Sequence, residues 1–234
     1  MRRALGVLAI AVLLVAATPT AFGGWAVVTL QEVPEYLEVG EATTLSFKIR
    51  QHGRTLLDDR SPTVSMVDPD ASFLSRLFKR RSVRATRGSE PGLYEATITP
   101  SDTGVVRLII DTDLFNWKAK LLPIRIVGAA ESVPRMAPSK RGKHLFAAKG
   151  CVTCHAKHDE PAFADQNLVQ VGPDLTGRTY PGEWLATKIG DPGQARTIAG
   201  DILMPTLELD ASEIAALVQF INGSRATATG DQSR

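Results

Sequence analysis

Cysteine is almost missing from this chain: Cys151 and Cys154 are the only two. No second pair exists to complete a four-cysteine zinc site, and none is left to pin the first hundred residues as a disulfide framework would. Charge of one sign is also lacking. Lys and Arg number 27 against 25 Asp and Glu, and a net charge of +2 is too small to point to nucleic acid. The stretch from Trp25 to Val127 holds no paired carboxylates, no Ser/His/Asp set and no glycine-rich phosphate loop, so nothing in it speaks for catalysis. No internal repeat stands out. The content of apolar residues, 44%, with 22% charged, still describes a globular protein rather than a disordered one.

Against that background one pentapeptide carries chemistry. Cys151-Val152-Thr153-Cys154-His155 reads C-x-x-C-H, the attachment signature of c-type haem. Each thiol can add across a haem vinyl group, and two intervening residues let one helical turn present both sulfurs to one porphyrin edge. His155 follows directly, placed to bind the iron. The same residues admit other readings: a redox dithiol, half of a zinc site or a structural disulfide. A dithiol needs no histidine after its second cysteine, and a zinc site needs two further ligands.

The N-terminus reads as a targeting segment. Arg2 and Arg3 precede a small, apolar run from Ala4 to Ala17, and Thr18-Pro19-Thr20 ends it. That core is shorter than the roughly 20 residues of a membrane span. Continued through Gly24 it would serve as an anchor, so residues 1–24 are expected to be either a signal peptide or an N-terminal membrane anchor through residues 4–22. Either way the remainder lies outside the cytoplasmic membrane, periplasmic or on its outer face.

Residues 25–127 read as short strands. Leu45, Phe47 and Ile49 alternate with Ser46, Lys48 and Arg50, and Tyr94, Ala96 and Ile98 with Glu95, Thr97 and Thr99. Val106, Leu108 and Ile110 share one face, as do Leu122, Ile124 and Ile126. Turn signals such as Gln51-His52-Gly53 and Glu90-Pro91-Gly92 separate the runs. About seven strands at this spacing predict an antiparallel sandwich. On Tyr36–Gly40, Phe47–Gly53 and Pro91-Gly92-Leu93-Tyr94, the region resembles immunoglobulin-like domains of the YtkA/FixH type. Residues 128–138, with Pro134 and Pro138, have the composition of a linker. Residues 225–234 read as a flexible tail.

From Ser139 the period becomes helical. Ser139 is expected to cap a helix carrying Gly142, Leu145 and Phe146 and running into Cys151. Asp210 and Glu213 form a capping-box pattern before Ile214, Leu217, Val218 and Ile221, and Gly223 closes that helix. Gly142 with Phe146, the pentapeptide, Gly172-Pro173-Asp174-Leu175, Met204-Pro205, and Leu217 with Phe220 together resemble a class I cytochrome c over residues 139–224. The resemblance implies an all-α cytochrome c fold behind an all-β immunoglobulin-like sandwich, and one covalently attached haem c. It implies too that Gly142 lets the last helix cross closely.

The residues agree with those roles. Apart from the first residue, the methionines are Met66, Met136 and Met204. Met204 alone follows the pentapeptide on an irregular stretch, where its thioether can take the iron's second axial position. Core filling is the ordinary alternative for a methionine. The Pro173 carbonyl can accept the Nδ1 proton of His155 and fix its ring. The cofactor-binding set is thus Cys151, Cys154, His155, Met204 and Pro173, with His155 and Met204 on the metal. Arg178, Tyr180 and Trp184 are candidates for the haem propionates, whereas His144 and His158 read as surface histidines. The basic run Arg76, Lys79, Arg80, Arg81, Arg84 and Arg87 reads as a solvated loop.

The expected function is single-electron transfer in a respiratory chain, between redox-protein donor and acceptor, with the sandwich positioning or docking the cytochrome. The protein is expected to be a carrier or redox subunit and not an enzyme itself. Two other classes stay open: a haem enzyme or gas sensor with an open sixth position, and a copper-binding or recruitment module, for which His52 and Met66 are the scattered candidates.

Overall fold

The computed structural model describes residues 24–70, 81–192 and 204–223. The targeting segment, the tail from 225 and Arg76, Lys79 and Arg80 of the basic run lie outside the described residues. Among the described residues, no helix is long and apolar enough to cross a membrane.

The N-terminal region forms a two-sheet sandwich. One sheet has the order β1 (Ala26–Leu30), β3 (Thr43–Gln51), β8 (Leu93–Ile98), β7 (Thr86–Arg87), with β4 (Thr55–Leu56) paired to β3. The other runs β2 (Tyr36–Glu38), β11 (Ile124–Val127), β9 (Gly104–Asp111), β5 (Thr63–Val67), β6 (Arg81–Arg84), with β10 (Lys118–Lys120) paired to β9. The strands exceed the expected seven because several edge pieces are only two or three residues long. One pair also departs from the antiparallel expectation: β2 runs parallel to β11, with Leu37 opposite Ile126. The alternating residues meet between the sheets. Phe47 stacks on Tyr94 with centroids 6.1 Å apart, and the Tyr94 hydroxyl donates to the Leu57 carbonyl at 2.8 Å, so the buried phenol is satisfied.

Two strands break the half-buried period. All five residues of β1 are buried, and Lys48 and Arg50 on the supposed solvent face of β3 are each 7% exposed. The reason is a second layer: the C-terminal domain covers this face.

Among the described residues that domain has four helices, α1 (Pro138–Ala148), α2 (Cys151–Cys154), α3 (Gly182–Gly190) and α4 (Ala211–Asn222), and a 3₁₀ turn at Pro161–Phe163. The first helix starts two residues earlier than a Ser139 cap implies. Ala137 is its N-cap without a side-chain bond, and Pro138 sits in the first turn, where a missing N–H costs nothing. Nor does α1 run into Cys151: Gly150, at φ +83°, breaks it and starts α2. The α4 capping box is present, with the Glu213 amide donating to Asp210 at 2.8 Å.

Helices α1 and α4 cross at Gly142. A Cβ there would lie 2.0 Å from the Ala216 carbonyl oxygen and 2.7 Å from the Phe220 Cβ, so only glycine permits the approach. Phe146, Phe163 and Phe220 pack around the crossing with centroids 5.3 to 5.9 Å apart.

The two domains share an extensive polar boundary. Lys149, at the end of α1, is buried; its ammonium donates to the Gln31 carbonyl at 2.7 Å and pairs with Glu213 at 2.8 Å. Gln166 and Asn167 donate to the carbonyls of Lys120 and Lys118, each at 2.9 Å, and Arg107 pairs with Asp165. The stretch 128–138 is itself held: Glu131 pairs with Arg125 at 2.7 Å, and the Met136 amide donates to Glu35 at 2.8 Å.

Candidate haem site

A cleft of about 390 Å³ opens between the helices and the sandwich. Cys151, Cys154, His155, Pro173 and Met204 all line it, with apolar walls from Leu175, Leu185, Leu217 and Ile221. On α2 the two cysteines stand three apart and so share one helical face. His155 then leaves the helix in extended conformation while its amide still donates to the Cys151 carbonyl at 2.9 Å.

The His155 ring is fixed by the loop that follows. Its Nδ1 donates to the Pro173 carbonyl at 3.0 Å, which sets the tautomer and leaves Nε2 as a lone-pair donor. Gly172 makes room: a Cβ there would stand 2.5 Å from the ring's Cε1 and 2.7 Å from Nδ1. The loop is laid down by backbone bonds, Gly172 to Cys154 and Leu175 to Ala156, both 2.9 Å. Burial lowers the His155 pKa, the Pro173 bond acting the other way, so the ring is the neutral form that ligates metal.

Burial pushes Cys151 up to about 12, with Cys154 beside it adding to the effect, and burial alone pushes Cys154 up to about 11. A nucleophilic dithiol needs the opposite shift. Both are free thiols, and among the described residues no group of three or more His, Cys, Asp or Glu is arranged to hold a metal ion. Among the described residues no further ligands stand with Cys151 and Cys154 to complete a zinc site. A pair of thiols on one turn, an oriented imidazole, a thioether and an apolar cleft do fit a covalently attached haem.

Of the propionate candidates, Tyr180 and Trp184 line the cleft, stacked at 5.4 Å, and Arg178 does not. Reading the sequence missed Lys188, whose ammonium lies 5.9 Å from the Trp184 ring centre; its position four residues on along α3 was an available signal. It also missed Trp25, Val27, His52 and Gly53, sandwich residues in the same wall, for which no local signal exists. His52 packs against Trp25, with ring centroids 5.5 Å apart, while Met66 lies on β5 of the other sheet. His144 is not on the surface: it is 7% exposed on α1. His158 is exposed, as expected. Of the basic run, Arg81, Arg84 and Arg87 are exposed as expected, but they lie on strands β6 and β7 and not on a loop, because strand pairing at a sheet edge leaves such side chains in solvent.

Helices gathered around an apolar cleft, with thiols and an imidazole on one side and a thioether among the lining, define a haem-binding electron-transfer domain. Residues 139–224 match the family model described as Cytochrome c, and this unit is a helical cytochrome c domain, for which the match implies covalently bound haem c with its iron. A search of curated proteins returns no match. Solved structures similar to the chain include a mutant of Salmonella alpha-2-macroglobulin, 19% identical over 48% of this chain and 7% of that one, with a TM-score of 0.35. The Lin-41 filamin domain is 16% identical over 44% of this chain and 93% of its own, with a TM-score of 0.32. The superoxide reductase (neelaredoxin) from Ignicoccus hospitalis is 15% identical over 43% of this chain and 80% of its own, with a TM-score of 0.28. The chain spans under a tenth of the macroglobulin. At these scores the likenesses carry no argument.

Proposed function

We propose that this protein is an extracytoplasmic mono-haem cytochrome passing single electrons between redox proteins of a respiratory chain. Cys151 and Cys154 would tether the haem, His155 and Met204 would ligate its iron, and Pro173 holds the imidazole. The iron, when bound, supplies a one-electron couple, and a thioether favours its reduced form and raises its potential. The protein's own part is to keep the ligands fixed and the cleft dry, so that little moves when charge changes. The observation that carries this reading is the convergence of all five residues on one cleft, with His155 already locked on Pro173.

Export is supported by Arg2, Arg3 and the apolar run from Ala4 to Ala17, which suit a signal peptide or an anchor. The sandwich, of the YtkA/FixH kind on its motifs, serves to position the haem domain against a larger membrane complex.

The test is Met204→Ala in the matured holoprotein. The weak sulfur-to-iron charge-transfer band of the oxidised form should vanish, the reduction potential should fall, and the iron should become open to external ligands. An unchanged spectrum and potential would refute the ligand assignment.

A further inference from the structure

The segment carrying Met204 is gripped by the sandwich. Lys48 and Arg50 project from β3 toward the C-terminal domain and are buried, a setting in which cations persist only when paired. The Lys48 ammonium bonds both carboxylate oxygens of Glu208, at 2.8 and 3.1 Å, and is held from the sandwich side by Glu90 at 2.8 Å. The Arg50 guanidinium donates to the Thr206 carbonyl at 3.4 Å and is braced by Thr29 at 3.2 Å. Thr206 and Glu208 are two and four residues beyond Met204. Glu208 also adopts φ +54°, a left-handed conformation that costs a non-glycine residue free energy and persists where its surroundings impose it. Its carboxylate reaches Lys48 from that conformation.

We propose that β3 clamps the methionine strap, so that Lys48 and Arg50 are positioning residues for Met204 and the sandwich sets how firmly the sixth iron position is closed. This rests on Met204 being the axial ligand. A strap fixed at two points beyond the methionine leaves its sulfur few alternative positions. Loosening those points raises the fraction of molecules with the sulfur off the iron. An external ligand then binds in proportion to that fraction.

The experiment uses full-length holoprotein with imidazole as probe, in wild type, Lys48→Met, Glu208→Gln, the double variant and Arg107→Ala. Arg107 joins the domains through Asp165 and takes no part in the cleft lining, so it controls for a general loss of docking. Each clamp variant should bind imidazole to the oxidised iron on the order of tenfold more tightly, with a weakened charge-transfer band. The double variant should match Lys48→Met, because without Lys48 the Glu208 carboxylate has no clamp contact left to lose. Arg107→Ala should behave as wild type. Should Lys48→Met not fold, Glu208→Gln, whose side chain is half exposed, carries the test alone. Wild-type imidazole affinity in the clamp variants, or an equal change in Arg107→Ala, overturns the clamp and leaves the ligand assignment standing. A wild type without the band, and with imidazole affinity insensitive to Met204→Ala, overturns both.

Discussion

His144 shows how burial alone can give one residue a pH signature. It lies on α1 among Lys140, Arg141 and Lys143, and burial first, then these cations, push its pKa down to about 4, with Glu35 opposing. The folded protein keeps the ring neutral while the unfolded chain protonates below 6.5. Protons therefore favour the unfolded state between those values, and stability falls as pH drops from about 6.5 to about 4, by up to about 3 kcal/mol. His144→Gln should flatten the pH dependence of the denaturant midpoint across that window; an unaltered slope would assign it elsewhere. Sequence reading treated this histidine as a surface group, because its charged neighbours look solvated and nothing local shows which face is covered. That Cys151, Cys154 and His155 stand together was legible by contrast, since C-x-x-C-H is contiguous and needs no tertiary information. Trp25 and His52, about a hundred residues or more away, had no such signal.

Among the elements, α4 is the one whose ends and face were both readable. Asp210 and Glu213 exchange bonds as the pattern implied, 2.8 Å one way and 3.4 Å the other. Asp210→Ala should cost about 1 kcal/mol. Thermal unfolding of the holoprotein should shift down accordingly with haem content unchanged; an unshifted midpoint would mean that the Lys149–Glu213 pair holds the helix start without the cap. Strands β1 and β3 misled in the opposite way. Period-2 patterning assumes water on one face, and here Lys48 and Arg50 face another domain while keeping the polar character that signals solvent. The start of α1 was displaced by a subtler cause. Serine is the commoner cap, but Pro138 already has the backbone angle a first turn needs.

For the molecule as a whole, the prolines of 128–138 suggested a loose tether, yet the domains touch through Lys149, Lys48, Arg50, Arg107, Gln166 and Asn167. Composition can mark a connection; it has no means of reporting what lies on either side of it. An interface this polar and this continuous should couple the two units. Guanidinium unfolding followed by the haem Soret band and by Trp25 emission, isolated in a Trp117→Phe, Trp184→Phe background, should give coincident transitions. Two separated transitions would show that the domains hold themselves up independently.

Gly150 makes the pair hard to dissociate by engineering as well. A methyl group there would lie 2.5 Å from a Val27 side-chain carbon and 2.7 Å from the Val28 carbonyl oxygen. The residue just ahead of Cys151 is therefore shaped by a strand of the neighbouring domain as much as by its own turn. Grafting a different module onto this cytochrome would need a replacement offering an equally bare stretch of backbone at that spot. The haem domain bears the imprint of its companion, and chimaeras that ignore it will jam at the cofactor's doorstep.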